Sequence, residues 1–287
     1  MKTIKSSFPI SNFQLPTSSS KLPLVSIITV VYNGEMFIEQ TIKSVLNQTY
    51  SKIEYIIVDG ASSDGTLDIV KKYQSQIARL ISEKDAGIYN AMNKGLALAT
   101  GEIIAILNAD DYYYPETIQQ VVSHFNETNT DVVYGDLTKL RTINGTEFYK
   151  DIKPDISLME KTMPIFHPST FIKKHVYDAV GGFNEVYKLS SDYDFIYRVY
   201  KAGFKFSYLP KTLAVFRIGG ASNLSCKSYE EGFAILKSHN SPYSADMEKL
   251  ITKCRIKKLI GNLFESMISI FGLSKWNEKR LMKKWNG

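Results

Sequence analysis

Two cysteines in 287 residues, no apolar run long enough to cross a bilayer, and no glycine- and lysine-rich phosphate loop are the first things this chain lacks. Cys226 and Cys254 have neither metal-ligand spacing nor the density of a disulfide scaffold, so they read as incidental thiols and fit a reducing compartment. A spanning helix needs about 18 or more consecutive apolar residues, and the N-terminus has no apolar core of a secretory signal. A cytoplasmic location is expected, with the inner face of the cell membrane as the one membrane surface within reach. Excess charge is also missing from most of the chain. Of the net +6, all is accounted for by residues 251–287, where nine Lys or Arg face only Glu265 and Glu278. A nearly neutral body with a basic appendage argues against nucleic acid as a partner.

What is present is a core. Hydrophobic residues make up 44% of the chain, ample for a folded domain of this length. The stretch Ile103-Ile104-Ala105-Ile106-Leu107-Asn108-Ala109-Asp110-Asp111 is its most informative segment. Five apolar residues, three of them β-branched, read as a strand buried on both faces, and it delivers two adjacent carboxylates to its C-terminal end. Ligands bind at that edge of an open α/β sheet, so a carboxylate pair there suits Mg2+ or Mn2+ bridging to phosphate oxygens. A solvated turn is the plainer alternative.

The same rhythm runs on both sides of that segment. Residues 1–22, with Pro9, Pro16 and a Thr17-Ser18-Ser19-Ser20 run, read as a flexible leader. Val25 to Val31 reads as a buried strand ending at Tyr32-Asn33-Gly34, and Ile38, Ile42, Val45 and Leu46 follow on one helical face. Ile53 to Val58 is a second strand, ending in a turn-rich Asp59-to-Thr66 stretch where Ser63 or Asp64 can cap a helix carrying Leu67, Val70 and Ile77. A short Leu80-Ile81 strand precedes a helix from about Ala86, and Ile118, Val121, Val122 and Phe125 make a stripe behind Pro115. Val132-Val133-Tyr134 is a further strand, ending at Gly135-Asp136. Strands alternating with helices imply a mostly parallel sheet with right-handed crossovers, which gathers Tyr32, Asp59, Asp110 and Asp111 along one edge.

Beyond Asp136 the pattern changes. Asn144-Gly145 signals a hairpin, so a small antiparallel part joins the sheet. Pro154, Pro164 and Pro168 break up a loop-rich region containing His167, and Ser190-Ser191-Asp192-Tyr193-Asp194 opens another helix. Asp194 or Ser191 can cap it, but two aspartates two apart on one first turn exceed what a cap requires.

Together these pieces resemble a family 2 glycosyltransferase with the GT-A fold, over about Pro23 to Ser222. The motifs that carry the resemblance are Val25 to Asn33, Val58 to Thr66, Leu107 to Asp111, Gly181-Gly182-Phe183 and Ser191 to Asp194; Asp85 to Gly95 is similar to a bacterial surface-polysaccharide subset. The resemblance implies a metal-dependent, inverting transfer from a nucleotide-sugar, commonly a UDP-sugar, to a glycan or lipid-linked acceptor. It implies a nucleotide-sugar site at Val30, Tyr32, Asp59, Asp85, Lys94, Asn108 and Asp110, with Mn2+ or Mg2+ held by Asp110 and helped by Asp111. Asp192 falls at the place of the catalytic base, and His167 and Asp194 are candidate acceptor or diphosphate contacts. Lys94 and Arg217 read more readily as a surface lysine and a structural arginine. Three departures stand out: Asn108 replaces the first carboxylate of an Asp-x-Asp, Gly60 replaces a second aspartate after the strand, and Ser191 replaces a glutamate before the base.

The last segment, 226–287, reads as a helical basic extension. Leu259, Ile260, Leu263, Phe264, Met267, Ile268 and Phe271 draw an apolar helical stripe with Lys and Arg at both ends and Trp276 and Trp285 among the later ones. That suits an amphipathic helix on an anionic membrane surface, or a helix packed on its own domain. Two other function classes fit less well. A nucleotidyltransferase that makes sugar nucleotides would carry a phosphate loop where Val31-Tyr32-Asn33-Gly34-Glu35 stands, and a non-catalytic membrane-associated sugar-binding module would bind no nucleotide.

Overall fold

The computed structural model describes residues 22–219 and 226–271, with residues 261–271 given by their backbone path. Residues 1–21 of the expected 1–22 leader, and Lys275, Trp276 and Trp285 of the tail, lie outside the described residues. Strand β1 (Val25–Val31) is buried along its whole length because its side chains alternate between two cores. Val25, Ile27 and Val31 join one; Ile28 and Val30 join the other. A sheet covered on both faces needs such continuous apolar strands.

Around β1 the order follows the expected alternation: α1 (Ile38–Leu46), β2 (Ile53–Asp59), α2 (Thr66–Lys71), β3 (Arg79–Ser82), α3 (Ile88–Leu98), β4 (Ile103–Ile106), β5 (Tyr112–Tyr113) and α4 (Thr117–Thr128). The later elements are β6 (Val132–Ile143), β7 (Thr146–Ile152), β8 (Thr170–Lys173), α5 (Lys174–Val180), α6 (Ser191–Lys201), β9 (Phe206–Arg217), α7 (Cys226–Ser238) and α8 (Ser244–Phe271). The sheet runs β3-β2-β1-β4-β8-β6-β9-β5, with β7 paired to β6. Strands β3, β2, β1, β4, β6 and β9 share one direction, while β5, β7 and β8 run against it. The expected mostly parallel sheet with a small antiparallel part is therefore present.

Helices α1, α2 and α4 cover one face, and α3, α5, α6, α7 and the start of α8 cover the other. The stripe Ile118, Val121, Val122 and Phe125 is buried as its spacing requires. Two local expectations differ from the structure. The strand from Val132 does not end at Gly135-Asp136; it slips register there against β9 and continues to Ile143, because a bulge bends a strand without terminating it. The helix after Asp64 stops at Lys71, so Ile77 follows a separate 3-10 turn at Gln74–Gln76. The Asn144-Gly145 turn is as expected, with φ of 50° and 78°, the left-handed pair of a tight hairpin.

The C-terminal extension is not separate from the body. Ile235 and Leu236 of α7 and Met247 of α8 are part of the second core. Cys226 and Cys254 are joined, with Cα atoms 5.7 Å apart, and tie α7 to α8. This corrects the reading of two incidental thiols: their separation in sequence, 28 residues, hides that two antiparallel helices bring them side by side. It also removes cysteine usage as an argument for a reducing compartment. No helix among the described residues is long and apolar enough to cross a membrane.

Candidate active site

The register of the parallel strands sets the site. Val31 is level with Asp59, and Asp59 with Ser82, so the loops after β1, β2 and β3 leave the sheet at one edge. They are then tied together. Asn33, at φ 50°, accepts from Ser63 N through its side chain, and its own N–H donates to Ser62 Oγ. Asp64 accepts from Glu35 N and Thr66 N, and Glu35 accepts in turn from Gly65 N at 2.7 Å. Asp64 thus braces the start of α2, but the N-cap position is Gly65, with no side-chain cap, and not the expected Ser63 or Asp64. Tyr32 is left standing out of this clamp, 67% exposed, while Val30 behind it is buried in the strand.

The carboxylates at this edge divide sharply. Asp59 is wholly buried, and its oxygens accept from Ser62 N, Ser62 Oγ and Ser82 Oγ, so it presents no surface to a nucleoside. Its role is to fold the turn that carries Ala61 at φ 61°. Asp85 is half-buried and lies beside Tyr32. Its Oδ1 accepts from Gly87 N, and a Cβ built on Gly60 would lie 2.5 Å from its Oδ2 and 3.4 Å from Tyr32 Cδ2. Gly60 therefore leaves the space that the Asp85 carboxylate fills beside the Tyr32 ring. Lys94 pairs with Glu83 at 2.8 Å and donates to Lys84 O, so it braces the loop that carries Asp85 and does not stand free for phosphate.

After β4 the chain turns through Asn108 to Asp111. Thr41 Oγ1, on α1, lies within hydrogen-bond distance of both the Ala109 and Asp111 carbonyls and pins this turn. Asp111 is fully buried; its Oδ1 accepts from Arg217 N at 3.0 Å and its Oδ2 has no partner. Burial first, and then the neighbouring Asp110, push its carboxyl well above the ordinary carboxylate range. Asp110 is partly open, and burial raises it too. Arg217 is structural, as its sequence context suggests: it reaches Gln40 and Glu147 and lies 4.3 Å over the Phe37 ring. Asn108 Oδ1 is buried without a partner. A half-open carboxylate, an unpartnered amide oxygen and a second carboxylate behind them are hard oxygen donors, and fit a Mg2+- or Mn2+-bound diphosphate. No group of three or more His, Cys, Asp or Glu that could hold a metal alone exists among the described residues, so diphosphate oxygens and water would have to complete the shell.

Across a cavity of about 620 Å³ lies the first turn of α6. Asn108, His167 and Asp192 all line it. Asp192 Oδ1 accepts from Tyr89 OH and from Tyr193 N, both at 3.0 Å, which fixes the carboxylate and leaves Oδ2 available. His167 Nδ1 is 3.9 Å from that Oδ2, and its Nε2 is buried without a partner. Burial holds the imidazole below its usual pKa, against the pull of Asp192. Asp194 is not brought here. It pairs with Arg198 at 2.9 Å, and that guanidinium donates to the Val180 and Gly182 carbonyls, so Asp194 anchors the Gly181-Gly182-Phe183 turn. Sequence reading left two positioning groups unassigned. Tyr89 lay in a quoted motif without a role. Glu231 of α7, accepting from Lys188 N, Leu189 N and Ser190 N, holds the loop before Asp192 from 41 or more residues away, and no local pattern marks it.

The sequence model for glycosyl transferase family 2 matches residues 26–198, more than half of the chain and nearly all of this site. The chain belongs to glycosyl transferase family 2. Among curated family members, a PGL/p-HBAD biosynthesis glycosyltransferase of Mycobacterium bovis is 32% identical over 183 residues, covering 62% of this chain and 70% of that protein. An uncharacterised glycosyltransferase of Rickettsia prowazekii is 33% identical over 189 residues, covering 62% and 59%. Among solved structures, S. aureus TarS 1-349 in complex with UDP superposes with a TM-score of 0.61 at 20% identity, covering 80% of this chain and 70% of that one. Of a longer TarS chain the match covers 39%. The mannosyltransferase PcManGT of Pyrobaculum calidifontis, in complex with GDP-Man and Mn2+, gives 0.57 at 18% identity, covering 92% and 84%. These neighbours establish the GT-A fold of this family 2 member.

Proposed function

We propose that this glycosyltransferase moves a sugar, with inversion, from a UDP-sugar to a glycan or lipid-linked acceptor in bacterial polysaccharide or glycolipid synthesis. The observation that carries the reading is Asp192: a carboxylate with one oxygen held by two donors and the other facing the cavity that Asn108 enters from the strand edge. On this reading Asp192 Oδ2 takes the proton from the acceptor hydroxyl as that hydroxyl attacks the anomeric carbon from the side opposite the departing diphosphate. Such a base contributes typically about 10²- to 10⁴-fold in rate.

At the other end, Asp110 would hold Mn2+ or Mg2+ together with the diphosphate, Asn108 standing beside it and Asp111 behind it fixing the turn. The cation supplies charge neutralisation on the leaving diphosphate. Tyr32 would flank the base and the Asp85 carboxylate would accept from it, in the place left empty by Gly60. TarS binds UDP and UDP-GlcNAc and PcManGT binds GDP-Man with Mn2+, which supports a nucleotide-sugar and a divalent cation in this cleft. The name of the mycobacterial relative supports a glycolipid product. Helix α8 would meet an anionic membrane surface: Ile256, Leu259 and Ile260 are 53%, 65% and 60% exposed on it, close to Lys253, Arg255, Lys257 and Lys258.

A thermal-shift panel of UDP, GDP, CDP and dTDP with Mn2+, Mg2+ or excess chelator, on wild type and Asp110→Ala, tests the donor half. Ligand that binds only the folded chain raises its melting temperature. Stabilisation by UDP, requiring a metal and lost in Asp110→Ala, is expected; no shift with any nucleotide would sink the enzyme reading.

A further inference from the structure

The cavity does not stop at Asp192. The cavity that Asn108, His167 and Asp192 line is walled as well by Met163, Ile165, Phe166, Phe216, Ile218 and Met247. Its size lies within the range of small-molecule sites. A chamber meant for a bare saccharide would be expected to offer paired donors and acceptors to successive hydroxyls, since an unmatched sugar hydroxyl is costly to bury. This one offers mostly methyl, methylene and ring surface. Polar side chains share its lining, among them Asp192, His167 with Nε2 unpartnered, Ser190, Thr162, Lys139 and Lys188, but apolar surface predominates.

The helix behind the chamber is shaped to leave room. Gly232 stands in the interior of α7, where glycine weakens a helix, and lines the cavity. A Cβ there would meet only Met247, its Cε at 3.4 Å and its Sδ at 3.9 Å. Any longer side chain would project into the space.

Resting on the glycosyl-transfer reading above, we propose that the acceptor hydroxyl is carried on, or one sugar removed from, a hydrophobic group, and that this group fills the apolar chamber beyond Asp192. The reacting oxygen then sits beside Asp192 Oδ2 while the aryl or alkyl part is removed from water. An acceptor made only of sugars would leave the chamber empty. The chemistry is shared by an aromatic aglycone and by an alkyl or isoprenoid lipid, so the test has an arm for each.

The test is equilibrium binding to the full chain, with UDP and Mn2+ present, of free glucose, a p-nitrophenyl glucoside and an octyl glucoside below its micelle concentration. The same measurements are made on Gly232→Leu, on Met163→Asp from another wall and on Gly232→Ala. The hydrophobic glucosides are expected to bind at least tenfold tighter than glucose, to lose most of that advantage in Gly232→Leu and Met163→Asp, and to keep it in Gly232→Ala. Tighter binding of the nitrophenyl than the octyl form indicates an aromatic aglycone, and the reverse an alkyl lipid. Equal binding of all three sugars, or a hydrophobic advantage untouched by both variants, overturns the inference. The UDP-dependent thermal shift, recorded on every sample, reports separately on folding and on the donor half: if UDP fails to bind wild type, the enzyme reading falls and takes this inference with it, whereas UDP binding without hydrophobic preference removes this inference alone.

Discussion

The donor edge and the acceptor side of this cleft are made of different materials. At the donor edge, short polar turns after β1, β2 and β3 lock each other through backbone donors and small side chains, with Asn33, Asp59, Asp64 and Glu35 all committed. On the proposed acceptor side, side chains from α7, α8, β9 and the 153–169 connection, most of them apolar, line a cavity together with Asp192. The first is held by a network of backbone and side-chain hydrogen bonds; the second has room because apolar surface predominates in its lining. Their separation implies that donor binding and acceptor chemistry can be damaged independently.

The sharpest break in that comparison is Asp192→Asn. Transfer should fall by about 10²- to 10⁴-fold while UDP affinity stays within roughly twofold, since the amide keeps the shape and the Tyr193 N–H contact but loses the base. Steady-state kinetics beside nucleotide titration check it, and loss of UDP binding in parallel would show the two sides to be one unit. Next comes Cys254→Ser. Opening a 28-residue loop between α7 and α8 should cost about 3 kcal/mol, seen as a lower melting temperature. The nucleotide-induced shift should survive, because no donor-edge residue belongs to those helices.

On the donor side, Asp85→Ala should weaken UDP about 10- to 100-fold, the worth of one hydrogen bond to a charged group. Gly60→Asp tests the geometry behind this. In wild type its Cβ would meet Asp85 Oδ2 at 2.5 Å and should harm binding; in the Asp85→Ala background the clash is gone and binding should partly return. Failure of that rescue, by titration, would separate Asp85 from the place of the missing carboxylate.

This contrast also explains what the sequence could reveal. Strand ends followed by turn residues place Tyr32, Asp59 and Asp110 on one edge from local pattern alone, because a parallel sheet collects its strand ends. Local pattern could not say which of those carboxylates stays accessible: Asp59 and Asp111 are buried and accept from backbone N–H groups, while Asp85, marked by its motif and not by a strand end, stands beside Tyr32. In the same way Asp192 and Asp194 look equivalent on one helical turn, yet a two-residue step turns one to the cavity and the other to Arg198. The chamber was least legible. Glu231, Gly232, Cys254 and Met247 act across long sequence separations, and their meaning exists only once α7 and α8 are packed.

The smallest expected effect concerns His167, the one histidine at the boundary between the two sides. Burial lowers its pKa in the folded chain, while the unfolded chain keeps a value near 6.5. Between those two values the unfolded state binds more protons, so this group's contribution to stability is complete above about pH 6.5 and is lost as pH falls through the folded value. His167→Gln removes that titration. The wild-type advantage in melting temperature over His167→Gln should therefore shrink between pH 7.5 and 5.5. The opposite slope would mean that the protonated ring gains more from Asp192, 3.9 Å away, than it loses by burial, and would make the pair an ionic one. A widening gap on acidification would thus place a further charge beside Asp192, in a cavity whose lining already includes Lys139 and Lys188.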